Sequence, residues 1–528
     1  MFLVVSTMYP RTWRQRRLLL SESVTSRQPR VTRDIKCLKI SKKKKIQADS
    51  GLNSEFEHFK MSTDEFVARS HVLHRAFAER PSKIVAGDGI SLILENGKRV
   101  IDASCGPSVS CLGHSQPEIF EAITNHLRDD IAYVYSGSPY TNGATEELAD
   151  LLLADKPGGL SKAIFVNSGS EATDAALKLA VQYWHERGQP KRTHFIGRKQ
   201  SYHGNTIGAL CVSGHESRRE FYQDFLSPNV SFVDPCYAYR MKHKGESDEA
   251  FVERLAKQFE DEILRIGPHL VAGFIAETVS GTTLGCLPAV PGYFKAIRDI
   301  CDKYDILLIL DEIICGMGKT GTMHAWEQEG IRGPDIQTIG KALGGGFVPL
   351  SGVLLHQKIF DALSVGSGGL AHGHTFQAHP LACAAAIAAQ KIIKRDNLLE
   401  RCKIMGDKLG RILHKELGSH PLVGDIRGLG LFWAVEFVLD KDMKMPFPIK
   451  ANFCSRVVKN SLKLGLNILG NLGHTGEYQV DHVLVCPPYT VTDGELNEIV
   501  SLLKIAIEET SQPFLSRQNG FTNGLGGH

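Results

Sequence analysis

The stretch ILLILDEIICGMGKTG, residues 306–321, and the stretch DIQTIGKALGGG, residues 335–346, decide the fold of this chain. The first stretch is an apolar run of strand length that ends at Asp311, and the second places Lys341 before three glycines. A short apolar run predicts a buried strand, and open α/β sheets bind their ligands at the carboxyl ends of parallel strands. We therefore expect Asp311 and Lys341 to face one site.

A lysine amine and a strand-end carboxylate are the two protein groups that pyridoxal phosphate chemistry uses. The amine condenses with the aldehyde of the cofactor to a Schiff base, and the carboxylate keeps the pyridine nitrogen protonated so that the ring accepts electrons. The alternatives are structural roles, with Asp311 as a helix cap and Lys341 as a solvated helix residue. The three glycines favour a site lysine, because they weaken a helix and permit close backbone approach.

Seven candidate strands alternate with helical stretches in the body of the chain. They cover residues 163–167, 193–197, 229–233, 271–276, 306–310, 335–340 and 350–355. Most are near-continuous apolar runs, which are typical of a sheet covered by helices on both faces. The pattern predicts an α/β fold with one large domain, followed by a smaller α+β unit where the alternation changes.

Five segments are predicted from these changes of pattern. They are a basic extension at 1–60, an N-terminal part of the small domain at 61–115, a large cofactor-binding domain at 116–385, a C-terminal small domain at 386–512 and a disordered tail at 513–528. The last helix is predicted to begin at a capping box of Thr492 and Glu495 and to end near Glu509. Folded structure is expected to begin near Met61.

The first 45 residues carry 13 lysines and arginines against two acidic residues, although the whole chain has a formal charge of only +3. The body is therefore mildly acidic, which gives no reason to expect nucleic acid as a partner. The basic segment has three interpretations: a disordered tail or misassigned start, a mitochondrial transit peptide, or a nuclear signal. We expect a cytoplasmic protein, or a mitochondrial one if residues 1–60 are a transit peptide.

Composition excludes two other classes. The apolar runs have the length of strands and are far too short to cross a membrane, so no membrane partner is expected. The 12 cysteines are scattered, with no C-x-x-C pair. They predict reduced thiols and no metal site.

Three further motifs are candidates for the site. Ser168-Gly169-Ser170 turns a strand into an alanine-rich helix, whose N-terminal amides would favour a phosphate, although a plain helix cap has the same sequence. Tyr202 and His203 follow another predicted strand, where an aromatic ring could stack on a flat cofactor or pack in the core. Thr375 precedes a second alanine-rich helix, as a site hydroxyl or a helix cap.

Together these motifs resemble the class III aminotransferases, pyridoxal phosphate enzymes of fold type I. The resemblance covers about residues 72–509, and its motifs are NSGSEA, YHG, AETVSG, LDEIICGMGKTG, GKALGGG and HTFQAHPLA. It implies a large domain with a mainly parallel seven-stranded sheet, a smaller α+β domain, and pyridoxal 5'-phosphate as cofactor. It also implies a homodimer or a dimer of dimers, because the site of the family is shared between subunits.

The resemblance assigns roles to individual residues. Lys341 would hold the cofactor and move the proton, and Asp311 would pair with the pyridine nitrogen. The other residues implied at the cofactor are Tyr202 and Ile313 on the two ring faces, His203 beside Tyr202, Gly169 and Ser170 at the phosphate with Thr375 from the neighbouring subunit, and Glu277 on the substrate side.

The implied reaction moves an amino group from an ω-amino acid or amine to a 2-oxo acid such as pyruvate by a ping-pong mechanism. Ornithine-type relatives carry an arginine shortly before a Pro-Pro pair, where this chain has Leu484, so ornithine-like specificity is disfavoured. Arg427 is a candidate substitute, although the turn around it favours a structural role. Isoleucines 313 and 314 replace residues more usual in the family but keep the apolar packing.

Two alternatives remain at this point. A decarboxylase, aminomutase or lyase would keep the cofactor and change the reaction, but Pro107 stands where the decarboxylating relatives have glutamine. A nucleic-acid-binding protein with a degenerate enzyme body would use the basic N-terminal segment. The presence of both Lys341 and Asp311 argues against it.

Removal of residues 1–60 is predicted to leave enzymatic turnover unchanged, because every motif of the site lies after Met61. Steady-state kinetics of the full chain and the shortened chain, at equal cofactor content, test this. A large loss of turnover in the shortened chain would assign a working role to the basic segment.

Overall fold

The computed structural model describes residues 70–77, 80–128, 131–471 and 475–522. It divides the chain into two units, residues 1–80 and 81–528, and every helix and strand below belongs to the second. The predictions made for residues 1–60, for the start near Met61 and for residues 523–528 lie outside the described residues.

The strands, in chain order, are β1 Ile84–Asp88, β2 Ser91–Leu94, β3 Arg99–Asp102, β4 Leu160–Val166, β5 His194–Arg198, β6 Val230–Val233, β7 Val271–Glu277, β8 Val279–Ser280, β9 Leu287–Pro288, β10 Leu307–Asp311, β11 Ile336–Ile339, β12 Ser351–His356, β13 Val423–Leu429, β14 Phe432–Phe437, β15 Leu466–Asn467, β16 Leu469–Gly470 and β17 Asp481–Val485. Seven of them form the central sheet, in the order β4-β12-β11-β10-β7-β5-β6. Strand β12 is antiparallel to both neighbours, and the remaining pairings are parallel. The predicted seven-stranded, mainly parallel sheet is confirmed.

The helices are α1 Cys105–Ser108, α2 Pro117–Arg128, α3 Gly143–Leu153, α4 Gly169–Glu186, α5 Ile207–Val212, α6 Glu216–Arg219, α7 Ala238–Met241, α8 Asp248–Ile266, α9 Tyr293–Lys303, α10 Gln357–Val365, α11 Pro380–Arg395, α12 Leu398–Leu417, α13 Phe453–Leu464 and α14 Asp493–Thr522. None of these described helices is long and apolar enough to cross a membrane.

Burial of the central strands explains their sequence. Every residue of β7 and β10 is buried, as expected for strands with helices on both faces. Helix α4 packs its small face, including Ala172 and Ala176, into one cluster with Ile309 of β10 and Val353 of β12. Small side chains let the helix approach the sheet closely, so α4 and its N-terminus have a fixed position above it.

Two further four-stranded sheets complete the fold. The first has the order β1-β2-β3-β15, and Leu466 of β15 pairs in parallel with Ile101 of β3. Segments from both ends of the second unit therefore share one sheet. The second has the order β13-β14-β17-β16, and β8 pairs with β9 alone. The exact domain boundaries of the sequence analysis stay predictions.

The last helix differs from the prediction. It runs through Pro513 to Thr522, so the expected helix end near Glu509 is wrong. A proline inside a helix removes a hydrogen bond and is normally a stop signal. Here the ring of Phe514 lies 5.2 Å from that of Phe447 and 5.5 Å from that of Phe453, and this packing overrides the local signal.

Gly406→Ala is predicted to destabilise the protein, although alanine is the better helix former. A Cβ at this position of α12 would overlap the carbonyl of Gly430 in the turn between β13 and β14. Thermal unfolding should show a loss of about 1–3 kcal/mol. Gly494→Ala in α14, where a Cβ meets nothing within 4 Å, is the matched control and should be neutral or slightly stabilising. Equal midpoints for the two variants would contradict the overlap.

Candidate functional site

The register of three parallel strands brings the first site residues together. Asp311, the last residue of β10, pairs with Glu277 at the end of β7 and with Thr338 of β11. Lys341 follows β11 by two residues and has a φ of +44°, a left-handed conformation that is uncommon outside glycine. Because parallel strands end at one edge of a sheet, these side chains share one site, as the sequence predicted for Asp311 and Lys341.

Three donors converge on the buried carboxylate of Asp311. Nδ1 of His203 donates to Oδ2 at 2.8 Å, while the amide of Ile313 and the hydroxyl of Thr338 donate to Oδ1 at 3.0 and 3.2 Å. His203 is itself held, because its amide donates to the hydroxyl of Ser213 at 2.8 Å. The carboxylate is therefore fixed in one orientation, as a partner for a ring nitrogen must be.

The Lys341 amine lies in surroundings that favour its neutral form. Desolvation lowers its pKa to about 8, against the attraction of Asp311, which acts in the opposite direction. A neutral amine is the form that attacks a carbonyl and that accepts a proton. The neutral amine of Lys341 is therefore more populated near neutral pH than that of a free lysine.

The N-terminus of α4 offers an anion site. Ser168 caps this 18-residue helix by accepting a hydrogen bond from the amide of Glu171 at 3.2 Å. The hydroxyl of Ser170 accepts from the amide of Asn205 at 2.9 Å, and Ile313 covers Gly169, where a Cβ would meet its Cγ2 at 3.0 Å. Free amides and the dipole of a helix N-terminus bind phosphate, so Gly169 and Ser170 fit that role.

Tyr202 and Glu277 stand side by side. The amide of Tyr202 makes a long hydrogen bond of 3.4 Å to Oε1 of Glu277. Burial raises the pKa of the Glu277 carboxyl, and His203 and Arg198 oppose this effect. Nη2 of Arg198 donates to the Glu277 carbonyl at 2.6 Å and lies 3.6 Å from Oε2. These contacts place Tyr202, His203, Glu277 and Asp311 in one group.

Thr375 is the predicted site residue that the described contacts do not join to this group. It is exposed, and its carbonyl accepts a hydrogen bond from the hydroxyl of Tyr133. The ring of Tyr133 in turn lies 5.9 Å from the ring of Phe376.

Sequence reasoning missed several supporting residues. Thr338 lies three residues before Lys341 and could have been found from the register of parallel strands. Arg198 and Ser213 carry no such signal, because their contacts with Glu277 and His203 depend on the folded chain. Arg427, a candidate for binding the substrate, is buried and bonded to Asp425 and Glu436 at 2.7 and 2.6 Å, which favours the structural interpretation.

The residues present fit the cofactor that the sequence predicts. A desolvated lysine amine, a fixed carboxylate and a helix N-terminus match its aldehyde, its ring nitrogen and its phosphate in chemistry. Nε2 of His203 and Oε2 of Glu277 are shielded from solvent and have no hydrogen-bond partner among the described residues. Buried polar atoms are rarely left without a partner, and a polar ligand at the site could supply one.

Comparisons with known proteins identify the family of the chain. Residues 75–507 match the family Aminotransferase class-III. An uncharacterised aminotransferase of Schizosaccharomyces pombe is 44% identical over 449 residues, which are 85% of this chain and 97% of the relative. A chloroplastic gamma aminobutyrate transaminase 3 of Solanum lycopersicum is 34% identical over 444 residues, or 81% of each chain.

Among solved structures, the omega transaminase from Pseudomonas jessenii in complex with PMP aligns with a TM-score of 0.80 and 32% identity. The alignment covers 85% of this chain and 98% of that one. The fold, the family match and the relatives lead to one conclusion: this chain belongs to the class III aminotransferases, enzymes that depend on pyridoxal phosphate.

Proposed function

We propose that the enzyme moves an amino group from an ω-amino acid or amine to a 2-oxo acid such as pyruvate, in two half-reactions at one site. The observation that carries this proposal is the desolvated Lys341 amine beside the fixed carboxylate of Asp311. Bound pyridoxal phosphate supplies an aldehyde that captures amines and a ring that accepts electrons. The donor leaves as a carbonyl compound before the acceptor enters, so the mechanism is ping-pong.

Each residue of the group has a proposed task. Lys341 would hold the cofactor, and its freed amine would carry the proton between the donor Cα and the cofactor C4′. Asp311, oriented by His203 and Thr338, would accept a hydrogen bond from the ring nitrogen. Tyr202 and Ile313 would pack against the cofactor ring.

The remaining residues would contact the phosphate of the cofactor and the substrate. Gly169 and Ser170 would bind the phosphate through the amides of α4. Glu277, whose carbonyl accepts a hydrogen bond from Arg198, would contact the substrate.

A second subunit is part of the proposal. Thr375 would complete the phosphate site of a neighbouring copy, in a homodimer or a dimer of dimers. Exposed aromatic side chains support such an interface: Tyr133, whose hydroxyl donates to the Thr375 carbonyl, and Phe376, the next residue, are each at least 39% exposed in the single chain. The compartment is the cytoplasm, or the mitochondrion if residues 1–60 act as a transit peptide.

A stopped-flow absorbance scan with a panel of amines and ω-amino acids tests the reaction. The band of the aldehyde form is expected to convert to that of the amine form, and pyruvate is expected to restore it. Lys341→Ala should bind the cofactor without this conversion, because it lacks the amine that moves the proton. Cofactor binding without conversion by any amine would favour a decarboxylase or lyase instead.

The pH dependence of cofactor capture tests the Lys341 amine directly. Its pKa of about 8 lies below that of a free lysine, so the attacking neutral amine is present above pH 8 and is lost below it. The rate at which cofactor-free protein captures pyridoxal phosphate should rise about tenfold per pH unit below pH 8 and then level off.

Asp311→Asn supplies the control for this profile. The Asp311 carboxylate raises the pKa of the Lys341 amine, so its removal should move the midpoint to lower pH. A midpoint above pH 10 in the unaltered protein, or a shift to higher pH in the variant, would contradict the assignment.

A further inference from the structure

The turn that carries Lys341 has an uncommon conformation. Lys341 itself has a φ of +44°, and the short helical turn Lys341–Leu343 is followed directly by three glycines. A residue other than glycine keeps such a φ only where its surroundings determine it. Inside the turn, the amide of Leu343 donates to the carbonyl of Gly340 at 2.9 Å. Contacts from outside the turn are needed to hold its other peptide groups.

Gln390 on α11 supplies such contacts. Its Nε2 donates to the carbonyl of Ala342 at 3.1 Å and to the carbonyl of Leu343 at 2.9 Å. These two acceptors belong to the residues that directly follow Lys341. The glycines that come next weaken a helix, so these carbonyls are not expected to receive amides from a further helical turn. Both hydrogens of the side-chain amide are thus used on the turn of Lys341.

The surroundings of Gln390 distinguish it from the rest of its helix. The other buried residues of α11 are proline, alanine, cysteine and isoleucine. Gln390 is 2% exposed, and its Oε1 is shielded from solvent and has no hydrogen-bond partner among the described residues. A buried carbonyl without a partner is unfavourable, whereas both donors of the same amide are bonded. The donors are therefore the part of this side chain that the fold uses.

Apolar packing alone would not fix the two carbonyls. Ala342 and Leu343 lie in one buried cluster with Ala386 and other residues of α11. Packing of this kind is not directional, so it brings the turn and the helix together without orienting the peptide groups. The hydrogen bonds of Gln390 supply that orientation, because they weaken steeply when the donor and acceptor are misaligned. A rotation of these peptide groups would redirect the side chain of Lys341.

We propose that Gln390 is a positioning residue for the Lys341 amine, a role that rests on the proposed function of that amine. By fixing the carbonyls of residues 342 and 343, Gln390 keeps the amine where it attacks the aldehyde of the cofactor and where it moves the proton of the donor. Gln390 acts through the backbone of this turn. Binding of the substrate and of the cofactor phosphate therefore does not depend on it.

A purely structural role is the alternative. Gln390 would then only satisfy two buried carbonyls, and its loss would lower stability without a selective effect on Lys341. The positioning role requires a selective effect on the steps that use the Lys341 amine. The two roles are separated by comparing such a step with the binding of a ligand that does not need the amine.

Capture of pyridoxal phosphate by cofactor-free protein is the first test, because it requires attack by the Lys341 amine. Gln390→Leu removes both donors, and we expect capture to slow roughly 10- to 100-fold, the effect of a small misplacement of a reacting group. Pyridoxamine phosphate has no aldehyde and binds without this attack. Its dissociation constant, measured by fluorescence titration, should be the same for Gln390→Leu and the unaltered protein.

The first half-reaction of the holoenzyme gives a second readout, with 1-phenylethylamine as donor. In stopped-flow experiments the limiting rate constant of Gln390→Leu should fall by a similar factor, while the donor concentration that gives half of this rate stays unchanged. The same donor deuterated at the reacting carbon should show a larger isotope effect in the variant, because proton transfer becomes the slower step.

Gln390→Glu keeps the shape of the side chain and tests the donors themselves. Its carboxylate offers no donor to the two carbonyls, whereas the protonated acid offers one O–H. The capture rate of this variant, divided by that of the unaltered protein, should therefore rise as the pH falls. The same ratio for Gln390→Leu should not change with pH.

Gly406→Ala is the control for stability, because its added Cβ would overlap Gly430 rather than the turn of Lys341. It should lower the midpoint of thermal unfolding and leave the capture rate unchanged. Circular dichroism of each variant verifies folding, and Gln390→Glu carries the test if Gln390→Leu does not fold.

The outcomes separate the two proposals. If the unaltered enzyme converts no amine with pyruvate, the proposed function fails, and slow capture by Gln390→Leu would still support the role of Gln390. If the enzyme is active and Gln390→Leu captures the cofactor at the unaltered rate, only the role of Gln390 is overturned. Equal losses of capture and of pyridoxamine phosphate binding would assign Gln390 a structural role and also overturn the positioning role.

Discussion

The register of β7, β10 and β11 is the constraint on which the site depends. It sets the ends of three parallel strands level, so that Glu277, Asp311 and Thr338 lie side by side. A shift of one residue in any pairing would turn its side chain to the opposite face of the sheet. Each of these strands is buried on both faces, so apolar packing fixes the register. The side chains at the strand ends are therefore held in fixed positions.

Burial of two carboxylates at neighbouring strand ends carries an electrostatic cost, which the fold offsets with a separate partner for each. Leaving one buried charge without a partner costs several kcal/mol. Asp311 has His203, and Glu277 has Arg198 within 3.6 Å. Both partners come from β5 or the segment after it, so one segment supplies the donors for two strand ends. Without that segment, Asp311 would keep only the donors of Ile313 and Thr338, and Glu277 would lose Arg198.

The central sheet could be predicted from sequence because each strand is a local apolar run, and all seven predicted runs overlap observed strands. Asp311 and Lys341 were found because they follow such runs directly. The bond between His203 and Asp311 spans 108 residues, and the contact of Arg198 with Glu277 spans 79, so local pattern could not predict either. The helix beyond Pro513 was missed for a similar reason, since the packing of Phe514 depends on residues distant in sequence.

Arg218 and Arg219 are adjacent and of one type, but the tertiary structure gives them different contacts. Arg219 binds three carbonyls at the end of α5, and the last of these belongs to Ser213. The hydroxyl of Ser213 also holds the amide of His203, the partner of Asp311. The turn that carries Arg218 and Arg219 is thus tied by hydrogen bonds to the residue that orients Asp311. The orientation of that carboxylate and the end of α5 are therefore set by one hydrogen-bonded framework.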